Sequence, residues 1–164
     1  RTLARETLVE VDRRYVGGGQ VALSLVDLPM PAHGYPAFAA HEAAHCASEQ
    51  GRYWEMHDAL FEHQTDLASV DARQERQARS LVVEIGGRIG LETEPLEACL
   101  EAGRYRTLVS AMEQTAIESG IEVAPTLILQ SEAGTDIVTG HVTFAQLQPT
   151  LEAALSRARA TPRR

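Results

Sequence analysis

The chain holds 164 residues, with 23 Asp and Glu against 15 basic residues, a formal net charge of −8, 44% apolar residues and two cysteines. That length suits one compact domain, which at this size buries roughly two thirds of its unfolded surface. The acidic balance excludes a broad nucleic-acid footprint, since phosphate binding needs a clustered basic excess, and every basic residue here is Arg. No apolar run reaches the roughly 18 residues that span a bilayer, and Arg1 to Glu10 carries no signal-peptide core.

Leu3, Leu8, Val11 and Tyr15 recur at helical spacing, so the chain opens inside a helix or at its edge, and further chain is expected ahead of Arg1. Gly17, Gly18 and Gly19 end that helix. Val21 to Leu28, aliphatic apart from Ser24 and Asp27, reads as a buried parallel strand covered on both faces. Pro29, Pro31, Gly34 and Pro36 mark a loop. From Ala37 to Gln64 the pattern is helical with a break near Gly51, which gives two short helices. Their Trp54, Met56 and Phe61, beside Tyr53, are expected in the core, and Asp58, Glu62 and Asp66 on a solvated face. A third helix is predicted from near Asp71, with Leu81, Val82 and Ile85 apolar. Pro95 suits the first turn of a short helix, and Arg104 to Ser119 forms another.

Thr126 to Gln130 then reads as a strand, Gly134 as a turn, and Asp136 to Thr139 as the returning arm of a hairpin. Thr143 to Arg159 is an amphipathic helix with Phe144, Leu147, Leu151 and Leu155 on one face, which Pro149 should kink or shorten. There is no internal repeat and no sign of a second domain.

His41-Glu42-Ala43-Ala44-His45 spells His-Glu-x-x-His. On a helix its histidines share one face and could bind Zn²⁺, with the glutamate as general base. A chance occurrence of about 0.02 makes the motif notable, but it lacks a third ligand at a recognised spacing, and Glu62 is only a loose candidate. The reading therefore assigns no metal site. His33 and His57 read as packing or surface residues, and Gly17 to Gly19 lacks the Lys, Ser or Thr of a phosphate loop.

One set of words in this order carries more. It runs from Asp27-Leu28-Pro29 to His33, through Ala39-Ala40 and Ala43-Ala44. It continues from Cys46 to Trp54 (CASEQGRYW) and from His57 to Phe61 (HDALF), then to Cys99-Leu100 and Ala124-Pro125-Thr126. Together these resemble the DsbA-like branch of the thioredoxin superfamily. The resemblance implies an α/β thioredoxin-like fold, a single domain over 1–164 that is incomplete at its N-terminus, with a helical block inserted at about 37–119.

It further implies a protein thiol-disulfide oxidoreductase, forming or isomerising disulfides in client proteins. The family's catalytic Cys-x-x-Cys would stand just before Arg1, so no catalytic residue falls within the chain, and the family's central first strand would also lie upstream. Thiol exchange needs a thiolate, which a helix N-terminus stabilises through its unpaired N–H groups. Pro125 matches the family's cis-proline, beside which backbone pairs with substrate, so Ala124, Pro125 and Thr126 become the expected substrate-binding residues; a plain loop proline is the alternative.

Cys46 and Cys99 stand 53 positions apart, and three readings stay open: a structural disulfide, two buried free thiols, or a reactive thiol. Family members often carry both cysteines, which favours the bridge in an oxidising compartment. The implied partners are cysteine-containing clients and a redox partner, with no nucleic acid, for a monomer outside the cytoplasm of a bacterium. No cofactor is implied. The rival readings are a non-catalytic peptide-binding module of the same fold and, behind it, a zinc peptidase working through residues 41–45.

Overall fold

A computed structural model describes residues 3–121 and 123–160. The expected opening at Arg1 and Thr2 lies outside the described residues. The chain divides into two compact units, one formed by 1–25 with 121–164 and the other by 26–120.

In the first unit, helix α1 runs as π-helical Leu3–Thr7, α-helical Leu8–Val11 and π-helical Asp12–Val16. Its buried residues are Leu3, Thr7, Val11 and Tyr15, every fourth position. At 3.6 residues per turn such a set drifts around the helix, and the wider π winding keeps it on one face. Strands β1 (Thr126–Ser131) and β2 (Gly134–Thr139) form the expected hairpin, in register Leu127 with Val138 and Ile128 with Ile137. Period-two alternation sends Leu127, Leu129 and Val138 into a core with Val11, Tyr15, Leu147 and Leu151, while Ile128 and Ile137 stay exposed.

Helix α8 (Phe144–Ala160) supplies the rest of that core. Of the two expected effects of Pro149, a kink or a shortening, the shortening does not occur, since the helix runs through it. The ring removes one N–H, the donor to the Ala145 carbonyl, and burial of Leu147, Leu151 and Ala154 on both sides of the gap outweighs the loss.

The second unit is helical: α2 (Gly34–Ser48), α3 (Tyr53–Glu62), α4 (Gln64–Ser69), α5 (Glu75–Arg88), α6 (Thr93–Glu101) and α7 (Arg106–Glu118). α2 is its axis. Ala39, Ala43, Ala44 and Ala47 are buried along it, and their small side chains let α3, α5 and α6 bring in Met56, Val82, Ile85, Leu96 and Leu100. The break at Gly51, at φ 70°, is as expected. α5 starts later than predicted because Asp71 closes a turn, its carboxylate accepting the Arg73 N–H at 2.9 Å.

Two expectations fail here. Val21 to Leu28 forms no strand: among the described residues no backbone hydrogen bond joins positions 22–29 to any other part of the chain. A strand is defined by its neighbour, and aliphatic propensity alone cannot supply one. The segment is still extended in its side-chain pattern, with Val21, Leu23, Leu25 and Asp27 turned inward and Ala22, Ser24 and Val26 exposed, so it is not covered on both faces. Trp54, expected in the core, is 45% exposed, whereas Met56 is fully buried.

Candidate functional site

The residues Ala124, Pro125 and Thr126 lead into β1. The Ala124–Pro125 peptide bond is cis. Thr126 Oγ1 donates to the Val123 carbonyl at 2.5 Å, and the Gly140 N–H donates to the Pro125 carbonyl at 2.8 Å, which ties this corner to the end of β2. Ala124 itself is exposed, and among the described residues neither its N–H nor its C=O has a backbone partner. An exposed main-chain pair at the start of a strand is what an extended peptide uses to add itself to a sheet.

Cys46 and Cys99 are bonded to one another, tying α2 to α6 with Cα atoms 5.9 Å apart. Both are buried, at 2% and 1% exposure, and they are the chain's only cysteines. Neither is free to act as a nucleophile.

The histidines of the His-Glu-x-x-His motif meet a residue that motif reading alone does not pair with them. Asp27, 3% exposed, accepts from His41 Nδ1 at 2.7 Å through one oxygen and from His45 Nε2 at 2.6 Å through the other. Burial alone would raise its pKa, but the bonds from His41 and His45 more than offset this and hold Asp27 at about 2. An ionised carboxylate only accepts, so both facing ring nitrogens carry protons, and each histidine's tautomer is fixed. Around His45, Tyr53 packs edge-on at 5.4 Å and Tyr105 stacks at 5.3 Å. Burial and the charge of Asp27 push the Tyr53 phenol up to about 12. A single Asp in the aliphatic run VALSLVDL was the available signal, because a carboxylate in such a setting needs partners.

Glu42 points elsewhere. It is 1% exposed, neither carboxylate oxygen has a hydrogen-bond partner among the described residues, and it forms an ion pair with Arg106, whose Nε is 3.6 Å away. Arg106 and Arg79 both donate to the Tyr35 hydroxyl at 2.9 Å, and both also pair with Glu75. Burial raises the Glu42 carboxyl above its ordinary value. With its histidines spent on Asp27 and its glutamate paired with Arg106, the motif lacks the geometry of a zinc peptidase, in which the base faces the metal-bound water. Among the described residues no three His, Cys, Asp or Glu side chains are disposed to hold a metal ion.

Asp58 and Asp66 lie on a solvated face as expected, His33 is exposed, and His57 is half-buried between Trp54 and Phe61. No helix among the described residues is long and apolar enough to cross a membrane.

Comparison with known proteins adds two findings. A stretch of 39 residues is 54% identical to part of the Na(+)/H(+) antiporter NhaA 3 of Salinispora tropica, covering 24% of this chain and 6% of the antiporter. The chain therefore spans only a small fraction of that relative's length. The family model described as thioredoxin matches residues 1–153, nearly the whole chain, including the hairpin, the Ala124–Pro125 corner and most of α8. The chain belongs to the thioredoxin family.

Proposed function

We propose that this chain is the client-binding body of a DsbA-like thiol-disulfide oxidoreductase, working through a Cys-x-x-Cys that precedes Arg1. The observation that carries the reading is the thioredoxin match over residues 1–153, within which Ala124 offers a main-chain N–H and C=O that have no backbone partner among the described residues, at the head of β1. A client strand pairs there while a low-pKa thiolate attacks its disulfide. One S–S bond breaks and a client thiolate leaves as the mixed disulfide forms. A client thiolate then attacks the mixed disulfide, closing a new client S–S bond and releasing the catalytic thiolate. The second upstream cysteine releases a client that fails to rearrange, as a dithiol, and leaves the upstream pair as a disulfide. Cys46 and Cys99 stay outside this exchange because both are buried and bonded to each other. The partners on this reading are cysteine-containing proteins and a separate redox protein, in a bacterial compartment outside the cytoplasm where disulfides persist.

The test is reduction and refolding of a disulfide-scrambled substrate by the full natural polypeptide. Replacing the second cysteine of the upstream pair by Ser should trap a mixed disulfide, whereas Cys46→Ser with Cys99→Ser should leave exchange in place. One observation favours a second reading, a peptide-binding module without redox chemistry: every cysteine within 1–164 is locked in the buried bridge. On that reading the full polypeptide binds peptide and exchanges no disulfide.

A further inference from the structure

Helix α3 has two apolar faces. Met56, Ala59 and Leu60 are buried in the core. At about 100° per residue, Trp54, His57 and Phe61 lie about 140° round the helix from them and form a second stripe. Its rings touch edge to face, with 5.4 Å between Trp54 and His57 and 4.9 Å between His57 and Phe61. Trp54 leaves 45% of its surface in solvent. A large exposed aromatic ring on an ordered helix is the residue type that dominates binding interfaces. The stripe's exposed part falls well short of the roughly 800 Å² per partner that a stable dimer buries, so a second copy of the chain does not account for it.

Charge narrows the occupant. α3 carries Glu55, Asp58 and Glu62 and no Lys or Arg. The neighbouring cations are already paired, Arg52 with Glu55 and Arg88 with Glu84. Asp58, with 64% of its side chain exposed, sits beside the rings and accepts from His57 Nδ1 at 2.9 Å. An indole face beside the exposed carboxylate of Asp58 suits a cationic side chain twice over, through the ring quadrupole and through ion pairing, and it disfavours acidic segments and anionic lipid.

We infer that the Trp54–His57–Phe61 stripe docks an unfolded client segment in which aliphatic residues alternate with Lys or Arg. This rests on the oxidoreductase reading for the identity of the client and adds the sequence class it prefers. The probe is a cysteine-free, fluorescently labelled peptide of Leu, Ile and Arg, with a matched peptide carrying Glu in place of Arg, titrated into the full natural polypeptide. Trp54, the only tryptophan in the 164 residues, gives an intrinsic readout, with Trp54→Phe as the spectral control.

The expected result is saturable binding of the basic peptide that shifts Trp54 emission to the blue and weakens with salt. Kd should rise at least tenfold for the acidic peptide, for Trp54→Ala and for Asp58→Arg, both exposed sites whose circular dichroism should be unchanged. Equal binding of the two peptides would overturn the inference, as would binding that survives Trp54→Ala. So would an emission shift produced by raising protein concentration alone or by anionic vesicles. Because the probe lacks cysteine, its binding is read separately from exchange on the disulfide-scrambled substrate: probe binding with no exchange on that substrate would defeat only the oxidoreductase reading, and exchange there without probe binding only this one.

Discussion

Replacing Asp27 by Asn removes a charge from the carboxylate that joins the segment ahead of Pro29 to α2. The carboxyl titrates at about 2 in the fold against 3.8 when unperturbed. At 1.36 kcal/mol per unit, the folded state gains about 2 kcal/mol from holding it ionised. The pKa is depressed, so this stability is fully present above about pH 4 and is lost as pH falls from 3.8 towards 2. Asn can accept from one imidazole but presents an N–H₂ to the other, so the charge-assisted pair is broken. Urea unfolding near pH 7 with the disulfide intact should show Asp27→Asn less stable by about 2 kcal/mol, a fall in Tm of about 4 to 8 °C for a chain of this size. Near pH 2 the two proteins should differ little. Equal stability at pH 7, or a difference that persists unchanged at pH 2, would refute the argument that His41 and His45 stabilise the ionised carboxylate.

Three further outcomes follow from Glu42, from the Cys46–Cys99 bridge and from Pro149. Glu42 has its pKa raised by burial, so it weakens the fold as pH rises above the ordinary 4.5. Glu42→Gln should therefore stabilise by about 1 kcal/mol near pH 7 and by nothing near pH 3 in the same urea assay, since Arg106 keeps Glu75 and Tyr35. Opening the loop between Cys46 and Cys99 with a double Ala substitution should cost about 4 kcal/mol in the chain-entropy account, read as a lower urea midpoint that reductant no longer changes. Pro149→Ala restores a donor to the Ala145 carbonyl and should raise stability by about 1 kcal/mol or more without changing helix content by circular dichroism.

Much of the fold was legible because its signals are local. The glycines at 17–19, the break at Gly51 and the hairpin around Gly134 depend on residues within a few positions of one another, and each element stands where those residues put it. What depended on neighbours was not legible. Val21 to Leu28 has the composition of a strand, yet pairing is a property of two segments, and no ladder forms along it among the described residues. Trp54 shares a helix with Met56, and only the packing of α2 against α3 decides that Met56 turns inward and Trp54 outward. The same holds for the site. The spacing of His41 and His45 announced a shared helix face, but their partner, Asp27, lies 14 and 18 positions away on a different segment. The corner at Ala124 and Pro125 was found through resemblance to a family, since a proline before a strand is by itself an ordinary loop feature.

The central claim is that client cysteines react with a cysteine pair ahead of Arg1 while Cys46 and Cys99 remain a closed structural bridge. Intact mass of the natural polypeptide, before and after mild reduction and alkylation, tests it most directly. The account predicts at least four cysteines, of which two take up label under mild reduction at positions before Arg1, while Cys46 and Cys99 do so only after unfolding. A polypeptide whose only cysteines are Cys46 and Cys99, or one in which those two label first, would contradict it.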